Sequence, residues 1–218
     1  MPGIVIYATG SPILVDIEES LFRARVPIQA GIRNQPGACY LSDQSLGVEA
    51  QDLTDQLTSL PYLVPLFTPG HRQRAVLEAK ARGFSEPFSL IDASVAAPRK
   101  IAFEPGLYIG SGCSLGGASQ FGHFTFVNRG SSIGHHFTGG DFVSIGPGVV
   151  IGGMVRVGQG AFIGAGAVVL PEIVIGANSV VGAGAVVINN VPDHALVVGN
   201  PARVVKTGIS GYRSLTVS

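Results

Sequence analysis

The sequence predicts a small α/β unit followed by a parallel β-helix. Two observations carry this. A six-residue period of apolar residues and glycine runs from residue 91 to 187, and alternating strand-like and helix-like segments precede it without entering the period. Composition agrees. The 218 residues include 31 glycines, roughly twice the ordinary usage. Mean hydropathy is +0.40.

The first apolar segment, residues 3–9, ends at Gly10 and has the unbroken character of a buried parallel strand. Residues 11–25 follow with helical spacing, Ile13, Ile17 and Leu21 on one side and Asp16, Glu18 and Glu19 elsewhere. Residues 28–32 and 62–67 read as further strands, and 73–81 as a helix closed by Gly83. Alternation of this kind makes a parallel sheet with helices on its faces. The turn after the first strand, Ala8-Thr9-Gly10-Ser11-Pro12, stands where such sheets bind phosphates, though one glycine is too few for a dinucleotide fingerprint.

Every sixth residue from 91 to 187 is apolar at sixteen of seventeen positions, the exception being Gly139. The following column, from 110 to 182, is glycine at eleven of thirteen positions, with Asn128 and Leu170 as exceptions. Three positions further on, residues such as Cys113, Ser131, Val149 and Ala167 are small or β-branched. A period of six fits neither a helix nor a flat strand. It describes a chain that turns a corner every six residues and stacks one apolar residue per turn. Glycine suits such a corner by tolerating positive φ or close backbone approach. Asn128 then reads as a residue that tolerates the left-handed region nearly as well as glycine.

Several classes are excluded. A formal charge of +0 with 13% charged residues offers no steering field for nucleic acid or an anionic membrane. The apolar stretch 160–188 is broken by Pro171-Glu172, so no span is expected, and the first residues from Met1 carry no basic leader. Two cysteines make no disulfide framework, and a reducing, cytoplasmic setting is expected. Between 101 and 188 only five residues are charged, which predicts that a face of the solenoid packs against other subunits.

The hexads, the run Val127-Asn128-Arg129-Gly130-Ser131-Ser132-Ile133-Gly134-His135, and Gly199-Asn200-Pro201-Ala202-Arg203 together resemble the hexapeptide acyltransferases. With the α/β unit in front, the resemblance is to the sugar O-/N-acyltransferases. These include sialic acid O-acetyltransferases and the N-acetyltransferases of nucleotide-linked 4-amino sugars. The resemblance implies a left-handed β-helix of five to six coils, an α/β domain over residues 1–88, the β-helix over 89–188 and a tail over 189–218. It implies a homotrimer with active sites between subunits and acetyl-CoA as co-substrate. His135 becomes the general base, since acyl transfer needs a group to accept the acceptor's proton and imidazole ordinarily titrates near neutrality. Substrate contacts fall to Asn128, His136, Thr9, Gly10 and Ser11. Cofactor contacts fall to Ser144, Gly153, Ala165, Ala183 and Arg203, with Lys206 beside Arg203 for CoA phosphates and the Gly153 N–H as an oxyanion donor.

Two departures accompany it. Relatives place an acidic residue after the catalytic histidine, where this chain has His136, with Asp141 as the candidate replacement in space. Pro12 removes a backbone donor from the first turn, so the sugar acceptor is left open as nucleotide-linked or free. His71 and His194 read as structural. The metal-binding relatives of this fold need a His-x4-His pair, which this sequence lacks, so no metal is expected. A serine or other small-molecule O-acetyltransferase and a catalytically silent trimeric scaffold are the competing readings.

Overall fold

The computed structural model describes residues 3–218; Met1 and Pro2 lie outside the described residues. Four parallel strands form the N-terminal sheet: β1 (Ile4–Tyr7), β2 (Ile28–Arg33), β3 (Gly47–Glu49) and β4 (Tyr62–Leu63). Their order is β3-β2-β1-β4. Helix α1 (Leu14–Arg23) connects β1 to β2, α2 (Asp55–Thr58) precedes β4, and α3 (Pro69–Ala81) follows it. The chain therefore reverses direction across the sheet between β1 and β4, and such a reversal opens a crevice at the carboxyl ends of the two strands. The third predicted strand is short because its pairing ends at Leu63. The chain then crosses to the β-helix, where Phe67 packs edge-on against Phe126 and Phe162.

From Leu90–Ile91 onward the chain winds a left-handed β-helix with three faces. Strands eighteen residues apart pair in parallel, Phe126 with Ser144 and Ser144 with Phe162 on the first face. The second face runs from Ser114–Leu115 to Val186–Val187, and the third from Ala102–Phe103 to Val174–Ile175. Stacking continues past residue 188. Leu196–Val198 joins the first face beside Val180–Val181, and Arg203–Lys206 closes it antiparallel. No helix among the described residues is long and apolar enough to cross a membrane.

The inward column forms one continuous core, with Ile109, Val127, Ile145, Ile163 and Val181 wholly buried. Close approach explains the glycine column. A Cβ at Gly134 or Gly164 would come within 2.5 Å of backbone atoms of the next coil. None of this column has positive φ; the left-handed residues stand two positions later, at Gly112, Gly130, His136 and Met154 among others. The conformational reading of Asn128 is thereby corrected, since the left-handed corner residue is Gly130. Gly139 is explained by its neighbour. Phe137, in the small-residue column, is wholly buried and stacks toward Phe121 at 5.2 Å, and a Cβ on Gly139 would lie 3.0 Å from the Phe137 ring. A large residue and a glycine have exchanged columns within one coil.

The three faces differ in what covers them. Outward residues of the first face, Tyr108, Phe126, Ser144 and Phe162, are all buried, beneath the N-terminal unit and, at Phe162, also beneath Tyr212 of the tail. One low-charge face thus packs against the chain's own first domain. Arg72 locks that docking: its fully buried guanidinium donates to the carbonyls of Leu66, Phe67, Phe124, Phe142 and Val143 and to Ser144 Oγ. Burial pulls its pKa down, while six oxygen acceptors satisfy the charge. Arg23 reaches from α1 to Asp92 at 2.7 Å.

Candidate active site

His135 and His136 stand at the edge between the second and third faces. His136 adopts φ +56° there, and its N–H donates to the Gly117 carbonyl of the preceding coil. That left-handed turn brings the two side chains together, with the Nδ1 atoms 2.9 Å apart and the rings edge-to-face. One Nδ1 must donate and the other accept. If His135 donates, its Nε2 carries the lone pair. The His135 ring lies over Gly153, one coil on; a Cβ there would be 2.6 Å from both Cε1 and Nε2. Among the described residues the Gly153 N–H has no in-chain acceptor. The imidazole thus lies over a glycine whose backbone N–H is unpartnered among the described residues.

Asp141 does not take the place of the missing carboxylate. It sits on the edge between the third and first faces, where its Oδ1 accepts from the His123 N–H at 2.8 Å and contacts His123 Nδ1 at 3.2 Å. Glu104 lies on the other side of that imidazole at 3.6 Å.

The remaining predicted residues divide between places. Asn128, Ala165 and Ala183 share the edge between the first and second faces, one face away from His135. Asn128 is buried, and its Oδ1 accepts from the Arg129 N–H at 2.8 Å. Ala165 and Ala183 are exposed at equivalent corners of successive coils, and among the described residues neither N–H has an in-chain acceptor. Ser144 is a correction. It has no exposed surface, and its Oγ donates to the Phe67 carbonyl at 2.6 Å, so it supports the domain junction and lines no crevice. Arg203 is exposed and donates to the Ala202 carbonyl.

The crevice at the β1–β4 reversal is a cleft of about 670 Å³. Gly10 and Ser11 line it, whereas Thr9 is buried behind Gly31 and does not. His71, expected to be structural, also lines it, together with Arg74, Tyr212 and Arg213. Burial lowers the His71 pKa, and the Arg74 and Arg213 charges lower it further. Sequence reasoning missed this wall because α3 shows no helical stripe and the tail has no period. His194 is structural as expected, its Nδ1–H donating to the Ile209 carbonyl at 2.9 Å. Cys113 is buried, its Sγ 3.1 Å from the Asn128 carbonyl, and burial pushes the thiol pKa up. Among the described residues no group of three His, Cys, Asp or Glu could hold a metal ion.

A hexad-built left-handed β-helix behind an α/β unit, with paired histidines at a coil corner, is the architecture expected of a hexapeptide-repeat acyltransferase. Residues 154–189 match the family model described as bacterial transferase hexapeptide (six repeats). PerB from Caulobacter crescentus, in complex with CoA and GDP-perosamine, is 27% identical, with 94% of this chain and 98% of that chain covered at a TM-score of 0.82. The acetyltransferase domain of PglB from Neisseria gonorrhoeae, in complex with acetyl coenzyme A, is 20% identical over 94% and 100% of the chains, with a TM-score of 0.82. WeeI from Acinetobacter baumannii, at 20% identity and the same coverage, has a TM-score of 0.72. No curated protein sequence matches. The chain thus carries a bacterial transferase hexapeptide repeat and is similar over nearly its whole length to a perosamine N-acetyltransferase.

Proposed function

We propose that the protein transfers the acetyl group of acetyl-CoA to an amino group of a nucleotide-linked sugar, with His135 as general base. The observation that carries this is the His135 ring lying over Gly153, with its Nδ1 engaged by His136. His135 Nε2 accepts a proton as the acceptor nitrogen attacks the thioester carbonyl carbon. The new C–N bond forms, and the oxyanion faces the Gly153 N–H. The C–S bond then breaks, and the thiolate recovers a proton from the imidazolium. No acyl-enzyme is required.

The sugar class rests on likeness to PerB and on a cleft at the sheet reversal large enough for a nucleotide. The division of labour follows: residues 3–88 hold the acceptor, and the β-helix holds acetyl-CoA along the corners bearing Ala165 and Ala183. His135 and those alanines stand on different edges of one prism. A cyclic homotrimer, with its unlike edges meeting, joins them in one site. Exposed Met154, Leu170 and Ile188, on the same edge as His135, fit such an interface. A cytoplasmic location accords with both substrates.

The test is CoA release followed by thiol detection, across nucleotide-linked 4-amino sugars, free sialic acid and serine, with His135→Ala beside the wild type. Turnover on a nucleotide-linked amino sugar that collapses in the variant is expected. Equal rates in the two proteins would remove His135 as the base, and turnover on serine alone would overturn the sugar assignment. Absence of both turnover and acetyl-CoA binding would point to a silent scaffold.

A further inference from the structure

The C-terminal segment returns to the N-terminal unit and builds part of its cleft. Its path is fixed at several points. The Ile209 N–H donates to the His194 carbonyl at 2.9 Å. Asn178 clasps Val217 through both its amide atoms, at 2.8 and 3.0 Å. Gln73 Nε2 donates to the Ser218 carbonyl at 2.7 Å, tying the end of the chain to α3. Between these anchors Tyr212 lies flat on Phe162, centroids 3.6 Å apart and planes within 3°. Arg213 follows in the left-handed region, at φ 56° and ψ 32°, with its guanidinium 5.8 Å from the Tyr212 ring centre. A bulky residue held there by anchored neighbours is a built feature rather than a loose end.

The charge in the cleft is one-sided. Arg213 from the tail meets Arg74 and His71 from α3. Among the described residues neither arginine has a carboxylate within ion-pair distance. The one carboxylate lining this wall, Glu78, is engaged by Asn34 at 2.7 Å and by Arg82 at 3.2 Å. Two unpaired guanidiniums and an imidazole are thus gathered at the carboxyl ends of β1 and β4, beside Gly10 and Ser11. We propose that the tail is a working part of the acceptor site, with Arg213, Arg74 and His71 binding a diphosphate group of the acceptor. Guanidinium is suited to this because its fork donates two parallel hydrogen bonds to phosphate oxygens. The inference rests on reading this cleft as the acceptor site, and it adds which side chains hold the diphosphate and that the tail helps to select it.

The test uses the full chain and calorimetric titration with GDP, UDP, dTDP and inorganic pyrophosphate, alongside acetyl-CoA. Binding of a nucleoside diphosphate is expected. Arg213→Gln and Arg74→Gln should each weaken it about tenfold to a hundredfold, the effect of losing a charge-assisted hydrogen bond. Arg213→Lys should recover part of the loss, and acetyl-CoA should bind all variants as it binds the wild type. Pyrophosphate binding lost in the same variants would support the phosphate contact and put the specificity there. Undiminished diphosphate affinity in Arg213→Gln and Arg74→Gln would overturn the proposal. So would acetyl-CoA affinity falling in parallel with diphosphate affinity, because the cations would then serve CoA. Absence of diphosphate binding, in a protein that still releases CoA to a phosphate-free sugar, would refute this inference and leave the acetyl transfer standing.

Discussion

His136 occupies the position of the usual acidic residue, and its geometry makes its role measurable. Its Nδ1 is 2.9 Å from that of His135. For His135 Nε2 to accept a proton, His135 Nδ1 must carry its hydrogen and donate it, and His136 Nδ1 must accept. On the proposed mechanism His135 becomes cationic in the transition state, so the bond would strengthen there and lower the barrier rather than only bind substrate. A neutral hydrogen bond contributes about 0.5–1.5 kcal/mol, and a charged partner about 1.5–3 kcal/mol. His136→Phe keeps the ring shape and removes the acceptor, so kcat should fall roughly twofold to tenfold. His136→Asp supplies a charged acceptor on a residue type that tolerates the φ of +56° found here, and kcat should rise about fivefold. His135→Ala, which removes the proposed base, should cost about 10² to 10⁴. Single-turnover thiol release would give all three values. A rate in the His136→Phe variant equal to wild type would show that the contact carries no catalytic weight. A loss as large as that of His135→Ala would make His136 the base and reverse the assignment.

Three other perturbations probe the scaffold and the site. Gly153→Ala places a methyl 2.6 Å from the His135 ring, which must swing away; kcat should fall tenfold or more, to about 10², with little change in melting temperature, and an unchanged kcat would separate Gly153 from the chemistry. Gly139→Val should lower the melting temperature through overpacking of about 1–3 kcal/mol against Phe137, and Phe137→Ala should lower it through a cavity of about 3–5 kcal/mol. The double variant should lose less than the sum, and strict additivity in thermal unfolding would deny the exchange of columns. Asp92 is buried, which would raise its carboxyl pKa, but hydrogen bonds from Arg23 and Ser94 outweigh burial and hold it far below the carboxylate range. Its contribution should be fully present above about pH 4 and fade as pH falls toward the folded value. Asp92→Asn should therefore melt earlier than wild type at pH 7, by a margin that narrows only in strong acid, and a margin that narrows near pH 6 would contradict this account.

The β-helix was legible because each coil repeats the same physical problem, one apolar residue inward and one glycine where the next coil passes. Where two residues solve it jointly, a single column misleads: Gly139 looks like a gap until Phe137 is seen filling it. The docked face was written at an eighteen-residue spacing in Tyr108, Phe126 and Phe162, three aromatic residues pointing outward on the same face, but a six-residue reading averages over the three faces. The short β3 and α2 escaped because the polar residues 34–60 show neither period 2 nor period 3.6. The candidate base and the glycine beneath it were named in the sequence by resemblance, while the hexads alone gave only their positions. That they touch follows from the eighteen-residue stacking, which puts Gly153 directly beyond His135.

The same stacking argues against a self-sufficient monomer. A β-helix holds its residues rigidly on edges, and no side chain at a corner can reach across a face to another edge. The proposed base stands on one edge and the exposed amides at Ala165 and Ala183 on another, while the first face is closed by the N-terminal unit. If base and amides serve one reaction, a second copy has to supply the missing edge. The apolar residues Met154, Leu170 and Ile188, left exposed along the same edge as His135, mark where it would pack. Assembly and catalysis would then be coupled: dilution below the assembly threshold would remove activity while leaving each β-helix folded.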